Sequence, residues 1–447
     1  MTWLSAGGQW APATLLGLRG GSRRERLSHA AVTAVTAGAA LLVIVDFIVA
    51  PLTGHFSGSF DDFGPILAAG HAANAGLDPY APFLAVAPTQ ATSGLPYDFL
   101  PLVAVLARPL AALPHAVAVT LWLWGIVACT IAASVITART VLPKAWPRTA
   151  IGFSAAVLFA PALYDIWHGQ MSSVVLLTLA LAFRAWVDGD EITCGLALGV
   201  GAALRISPAA LLLLLIRRRW WRGIAVGAGT GLISLLAGGL LLGFDRVTEW
   251  FTKVLPLLGR PNGWYFNQSA GALLCRLFNY HVWRIDPPNP LLQAAVVAVS
   301  AACILGAAWV VRGGECSEER RSLELSAGMV AMVLATTVAW WSDDSSLLVP
   351  LLAIAGLAAR RVAGRPVVMA GIALFLAAGV AAPAFLGLGG TGWLPSTFGT
   401  LWWWPALQLD SLPAGTALAL LVALLVTLAR SRTGPWQRAG HDDATGS

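Results

Sequence analysis

Charge is what this chain has least of: Asp, Glu, Lys and Arg together make up 11% of its 447 residues, against roughly a quarter in an ordinary soluble domain. A soluble fold needs a polar surface over its core, so 57% hydrophobic residues in long uninterrupted blocks exclude that class. Cysteine is scarce as well. The five present, Cys129, Cys194, Cys275, Cys303 and Cys316, show neither paired spacing nor a CxxC, which argues against a disulfide framework and against a zinc site. A signal-peptide pattern is missing too. The basic stretch Arg19 to Arg26 precedes an apolar run too long for an h-region and without a small-residue cleavage site, so residues 30–52 are expected to stay as a first transmembrane helix. The formal net charge of +6 does not point to nucleic acid, because the basic residues sit in short clusters between apolar blocks, where they meet anionic lipid headgroups.

What is there is a series of apolar runs. A spanning helix needs roughly 20 predominantly apolar residues, and candidates lie at 30–52, 116–137, 150–166, 223–243, 291–311, 366–389 and 413–430, with shorter ones at 170–187, 324–340 and 345–358. Between Thr193 and Ile216 the run is interrupted by Arg205 and Pro208, which predicts two half-helices meeting at a bend. The stretch 98–114, with three prolines and an arginine, reads as a juxtamembrane or re-entrant element. The expected fold class is all-α: a polytopic transmembrane helical bundle of about 10–12 membrane segments with juxtamembrane helices on its outer face.

With that layout the basic clusters Arg19 to Arg26, Arg139 to Arg148, Arg217 to Arg222, Arg312 to Arg321, Arg360 to Arg365 and Arg430 to Arg438 all fall on one side, which the positive-inside rule makes the cytoplasm. The opposite, outer side then carries residues 53–97, the turn at His168 to Gln170, the segment 244–290, the turn at Trp341 to Ser346 and the loop 390–412. These segments hold most of the remaining Asp, Asn, Gln and His and many of the 20 tryptophans, so any chemistry belongs there.

Asp61 and Asp62 follow the first span. As neighbours they are expected to face different ways, and one carboxylate beside aromatic rings at the interface could act as a general base for a hydroxyl acceptor. The alternative is that they favour the positive end of the helix that Pro65 opens. His168 and Gln170 form a polar turn between two apolar spans, a ligand site or a simple turn. Arg205 lies inside an apolar segment, where a charge costs about 2.5–3.5 kcal/mol unless it finds a partner or water. At a bend it could hold a phosphate; pairing with an acidic side chain, or snorkelling, is the other reading. Asn267 and Gln268, beside Trp264 and Phe266, combine amides with aromatic faces in the manner of a sugar site. Trp341, Asp343 and Asp344 sit in a polar turn whose carboxylates could bind a cation, move a proton or contact an acceptor's hydroxyls, or simply be solvated.

In order and spacing, several pieces resemble glycosyltransferase family 87, whose members include actinobacterial mannosyltransferases and an arabinofuranosyltransferase. The pieces are Asp62-Phe63, Gly76-Leu77-Asp78-Pro79-Tyr80, Tyr97 to Pro101 leading to Arg108-Pro109-Leu110, Gly169-Gln170, Arg205 to Pro208, Asn267-Gln268-Ser269, and Trp341 nine residues before Pro350. The resemblance spans about residues 30–430. It implies a GT-C-like fold and a catalytic base at Asp62, with Asp61 beside it. It implies donor-phosphate contacts from Arg205, His168 and Gln170, and acceptor or sugar contacts from Tyr80, Tyr97, Asn267, Gln268, Trp341, Asp343 and Asp344. Two departures stand out: arginine where the family commonly has lysine, and Asp343-Asp344 where many members carry two histidines.

On this resemblance the chain is expected to transfer mannose or arabinofuranose, with inversion, from a polyprenyl-phosphate sugar to a lipid-linked glycan or envelope polysaccharide. The implied partners are membrane lipids, that donor and a lipid-glycan acceptor, with no nucleic acid, no resident cofactor and no assigned metal. The implied location is the plasma membrane with the site facing outward. Residues 1–29 and 431–447 are expected to be cytoplasmic tails around a catalytic domain at 30–430. A flippase for a lipid-linked glycan and a non-catalytic scaffold are the alternatives; a transporter would show internal repeats and polar groups spread through the bilayer, and neither is seen.

Overall fold

The computed structural model describes residues 23–56, 58–86, 97–260, 263–264, 266–278, 290–314, 316–381 and 411–430. The tails 1–22 and 431–447, most of the loop 390–412, and Tyr265 lie outside these residues. The protein is an all-α polytopic membrane bundle, and among the described residues the only β pairing is an isolated antiparallel bridge between Asn267 and Trp340.

Among the described residues six helices are long and apolar enough to cross a membrane: Ser28–Leu52, His115–Val141, Trp221–Leu242, Pro290–Val310, Trp341–Ala359 and Leu412–Arg430. Their outward faces leave Ile233, Leu240, Leu291 and Trp309 exposed, the pattern of helices meant to face lipid. The run expected to be one span at 150–166 is instead two helices, Arg148–Leu158 and Ala160–His168, bent by 60°. Pro161 explains the break, since it has no N–H to donate back and its ring clashes with the preceding turn; Phe159 answers with an extended backbone. Counting the bent pair gives seven spans among the described residues; the segments expected at 170–187 and 324–340 are shorter helices packed inside, and the one expected at 366–389 is a shorter helix with Met369, Ile372 and Phe375 exposed, its end lying outside the described residues. Ser172–Asp188 is the central one, with Leu179, Phe183 and Trp186 fully buried, and Glu318–Ala335 is enclosed from Ser322 to Leu334.

The bend at Arg205 has the expected form. The Glu191–Leu204 helix stops at Arg205, whose backbone is extended, and a short 3-10 turn, Ser207–Leu211, leads into Leu212–Arg218. The stretch read as juxtamembrane is the helix Pro101–Ala111, which lies against Phe63–Asn74. Gly70 permits the approach, because a Cβ there would stand 2.8 Å from the carbonyl oxygen of Ala107, and Arg108 fixes the crossing by donating to Asn74 Oδ1 at 2.9 Å.

Two apolar cores result. The larger surrounds Ser172–Asp188 and Glu318–Ala335, and the smaller is aromatic, built on Phe47, Phe63, Tyr80, Phe83, Tyr97 and Trp250. Basic residues gather at one end of the bundle, where Arg148 donates to the Arg139 carbonyl, Arg360 to that of Val141, and Arg218 and Arg320 both pair with Glu324. The polar turns gather at the other end, around a cavity.

Candidate active site

Asp62 is placed by its backbone. Its N–H donates to the His168 carbonyl at 3.1 Å and that of Phe60 donates to Trp167, so segment 60–62 is stitched onto the end of the Ala160–His168 helix. Gly169 turns the chain there with φ +68°, and its carbonyl accepts from Trp122 Nε1 at 2.8 Å, while the Trp122 ring stacks on Phe63 at 5.0 Å. Asp62 therefore faces His168 and Gln170. It occupies the N-cap position of Phe63–Asn74, where its charge stands at the positive end of that helix, and its side chain makes no capping hydrogen bond. The Gln170 side chain lies close enough to the Asp62 carboxyl to favour its charged form. Burial raises the Asp62 carboxyl above its ordinary value; the His168 charge and the Gln170 side chain pull it partly back, and the Asp61 charge pushes it up again.

These groups open on a cavity of about 780 Å³. At its polar pole stand Asp61, Asp62, Asp98, His168, Gln170 and Arg205; aromatic rings of Tyr164, Trp250, Trp264, Phe266 and Trp340 line its flank; and Leu255, Leu257, Leu258, Ala209, Ala210, Met332 and Ala335 form an apolar wall. Asp61 and Asp62 both border the cavity. They lie in a turn after the left-handed Phe60 (φ 51°) rather than on a helix, and Asp61 sits at the exposed rim with Asp62 deeper. His168 is held for its place by Ser59 Oγ at 3.0 Å from Nδ1 and by the Tyr164 ring at 4.2 Å.

Arg205 has found an acidic partner. Its Nη2 donates to Asp343 Oδ2 at 2.7 Å and its Nη1 to Oδ1, while Ser172 Oγ bridges the two, accepting from Arg205 at 3.0 Å and donating to Asp343 at 2.9 Å. The guanidinium still borders the cavity, with 19% of its side chain exposed.

The residues expected to touch acceptor or sugar sit elsewhere. Tyr80 and Tyr97 are buried and do not line the cavity: Tyr80 Oη donates to the Phe99 carbonyl at 2.9 Å, and Tyr97 Oη accepts from the Ala104 N–H at 2.8 Å, which pins segment 97–104. Asn267 and Gln268 are staples. Asn267 Oδ1 accepts from the N–H of Ala339 at 3.0 Å and its Nδ2 donates to Thr337, and Gln268 Oε1 accepts from the N–H of Ala414. The Trp341 ring packs on Tyr164 at 4.9 Å, Asp343 is tied to Arg205, and Asp344 is 1% exposed with both carboxylate oxygens lacking a partner among the described residues. For Tyr80, Tyr97, Asn267 and Gln268 the reason is the same: polar side chains of irregular segments are claimed first by the backbone groups those segments leave unpaired. Among the described residues no three His, Cys, Asp or Glu side chains converge as metal ligands.

Asp98, Trp250 and Arg260 are among the cavity residues that the sequence reading did not single out. Asp98, whose backbone carbonyl accepts from Trp250 Nε1 at 2.9 Å, turns its carboxyl toward Asp62 and Arg205, and burial pushes it up to about 6 despite the Arg205 charge. The signal available was a lone acid between Tyr97 and Pro101 in an apolar stretch. Arg260 was visible as a cation outside every basic cluster.

Residues 100–337, more than half of the chain, match the sequence model of glycosyltransferase family 87. Two proteins of Mycolicibacterium smegmatis are similar to it: a polyprenol-phosphate-mannose-dependent alpha-(1-2)-phosphatidylinositol pentamannoside mannosyltransferase, 25% identical over 264 residues, and a polyprenol-phosphate-mannose-dependent alpha-(1-2)-phosphatidylinositol mannoside mannosyltransferase, 26% identical over 299. The matches cover 58% and 61% of this chain, and 60% and 64% of those relatives' own lengths. A multi-helix membrane bundle with a carboxylate- and arginine-lined cavity, matched by that model over most of its central helices, belongs to glycosyltransferase family 87.

Proposed function

We propose that this chain transfers a sugar, with inversion, from a polyprenyl-phosphate donor to a lipid-linked glycan acceptor, in the cavity at the end of the bundle remote from the basic loops. The observation that carries the reading is one cavity of about 780 Å³ lined by a carboxylate, Asp62, by the Arg205 guanidinium and by a run of apolar side chains suited to an isoprenoid. In this reading an acceptor hydroxyl attacks the anomeric carbon as the bond from that carbon to the phosphate oxygen breaks. The hydroxyl proton goes to Asp62 and the electron pair of the broken bond leaves on the polyprenyl phosphate. Gln170 and His168 orient Asp62, Arg205 stabilises the phosphate as its charge grows, and the aromatic flank receives the sugar faces.

The relatives' names specify polyprenol-phosphate-mannose, which supports mannose as the sugar here, with arabinofuranose as the other candidate. Residues 30–430 form the catalytic unit in this proposal, with tails 1–29 and 431–447 in the cytoplasm. The basic end faces the cytoplasm by the positive-inside rule, and the cavity faces outward at the plasma membrane. Purified protein incubated with radiolabelled polyprenyl-phosphate mannose, or its arabinofuranose counterpart, and a lipid-glycan extract is expected to give a labelled glycolipid with one of the two donors. A flippase or scaffold would give none with either.

A further inference from the structure

We propose that Arg260 is the cation that grips the phosphate of the lipid-linked donor, an assignment that rests on the cavity being the donor site. An anionic head drawn into an apolar-walled cavity must be met by positive charge that a protein carboxylate has not already claimed. Arg205 does not meet that condition alone: both of its Nη atoms engage the Asp343 and Ser172 side chains, and the pair is close to neutral. Among the described residues the other Lys and Arg side chains at this end of the bundle are engaged too. Arg246 pairs with Asp78 and Glu249, Lys253 with Glu249, Arg108 with Asn74, and Arg276 with the backbone carbonyls of Trp264 and Asn267.

Arg260 lines the cavity, and among the described residues its side chain has no hydrogen-bond or ionic partner. Its position suits the task. It follows Gly259 directly after Leu255, Leu257 and Leu258, which line the same cavity, so one short stretch of chain brings both a leucine run and this cation to it. An isoprenyl phosphate likewise joins an apolar chain to an anionic head, and a guanidinium can meet phosphate oxygens through two parallel N–H donors. Arg205 then acts on the far side of the phosphate, held in place by Asp343.

The test uses the full-length chain in detergent micelles, with farnesyl phosphate and farnesol as a pair of probes that differ only in the phosphate. Binding is read by quenching of the cavity tryptophans. The wild-type protein is expected to prefer farnesyl phosphate by about ten-fold or more, the scale of a charge-assisted hydrogen bond. Arg260→Gln should bring the two probes to near-equal affinity and leave farnesol binding unchanged, which also shows that the cavity is intact. Arg260→Lys should keep most of the preference. Arg260→Ala, made alongside, decides the question if the Gln variant does not fold. The assignment is overturned if the wild type shows no preference, or if the uncharged variants retain it. Sugar transfer is measured separately: a phosphate preference that depends on Arg260 in a protein that transfers no sugar upholds the assignment and sinks the enzymatic reading.

Discussion

Removing Asp343 should cost more stability than any other single change beside the polar pole except loss of its partner, Arg205. Its carboxylate is 13% exposed and serves the Arg205 guanidinium, Ser172 Oγ and the backbone N–H of Trp340 at 3.0 Å. Losing one partner of a buried pair typically costs about 3–5 kcal/mol, because the other charge stays behind without compensation. Arg205 borders an open cavity and can recover some water, so the expected loss for Asp343→Ala is about 2–3 kcal/mol, and somewhat less for Asp343→Asn, which keeps an acceptor for Trp340. Arg205→Met should cost a similar amount, and the double variant much less than the sum, with a coupling of about 1–3 kcal/mol. The assay is reversible unfolding in mixed detergent micelles followed by tryptophan fluorescence. Single variants that each cost under about 0.5 kcal/mol, and that add without coupling, would refute the claim that this pair organises the pole.

The titration of Asp98 gives a signed test: its folded value of about 6 against an ordinary 3.8 means that stability is lost as pH rises through that window. Asp98→Asn should therefore match wild type near pH 4 and gain up to about 3 kcal/mol by pH 7 in the same unfolding assay; a variant with no pH-dependent gain would show that Asp98 is well solvated. Gly70→Val should separate the Phe63–Asn74 helix from Pro101–Ala111 at a cost of about 1–3 kcal/mol, and normal stability would mean that the close approach at Ala107 is not needed. For topology, cysteines at the exposed Thr53 and Ser59 should react with an impermeant thiol reagent in intact cells, on a background without native cysteines, and those at Lys144 and Glu318 should not. The reverse pattern inverts the proposed orientation. Asn267 and Ser345, in outer loops by sequence, make poor reporters because both are fully buried.

The spans were legible because lipid imposes a length and an apolarity that few soluble segments share. Pro208 and the isolated Arg205 announced the bend, and Asp62, Arg205, His168 and Gln170 could be placed at one end by counting spans. Partners were not legible. Arg205 and Asp343 are 138 residues apart, and nothing local in either segment says that one satisfies the other. The same blindness made Asn267 and Gln268 resemble a sugar site: an amide beside aromatic rings reads alike whether it meets a ligand or, as here, the backbone of 337–339 and Ala414. Asp98 escaped notice because its significance comes from the fold, which turns a solitary acid toward Asp62.

The central claim is that Asp62 accepts the acceptor's proton, and the most direct measurement is turnover of purified Asp62→Asn at saturating donor, with thermal stability and donor affinity matched to wild type. Asparagine keeps the side chain's size, but it cannot take a proton. The account predicts a loss of about 10²- to 10⁴-fold in turnover, with a much smaller loss for Asp61→Asn at the exposed rim. Turnover of Asp62→Asn within a few-fold of wild type would contradict it and move the search for the base to Asp61 or Asp98.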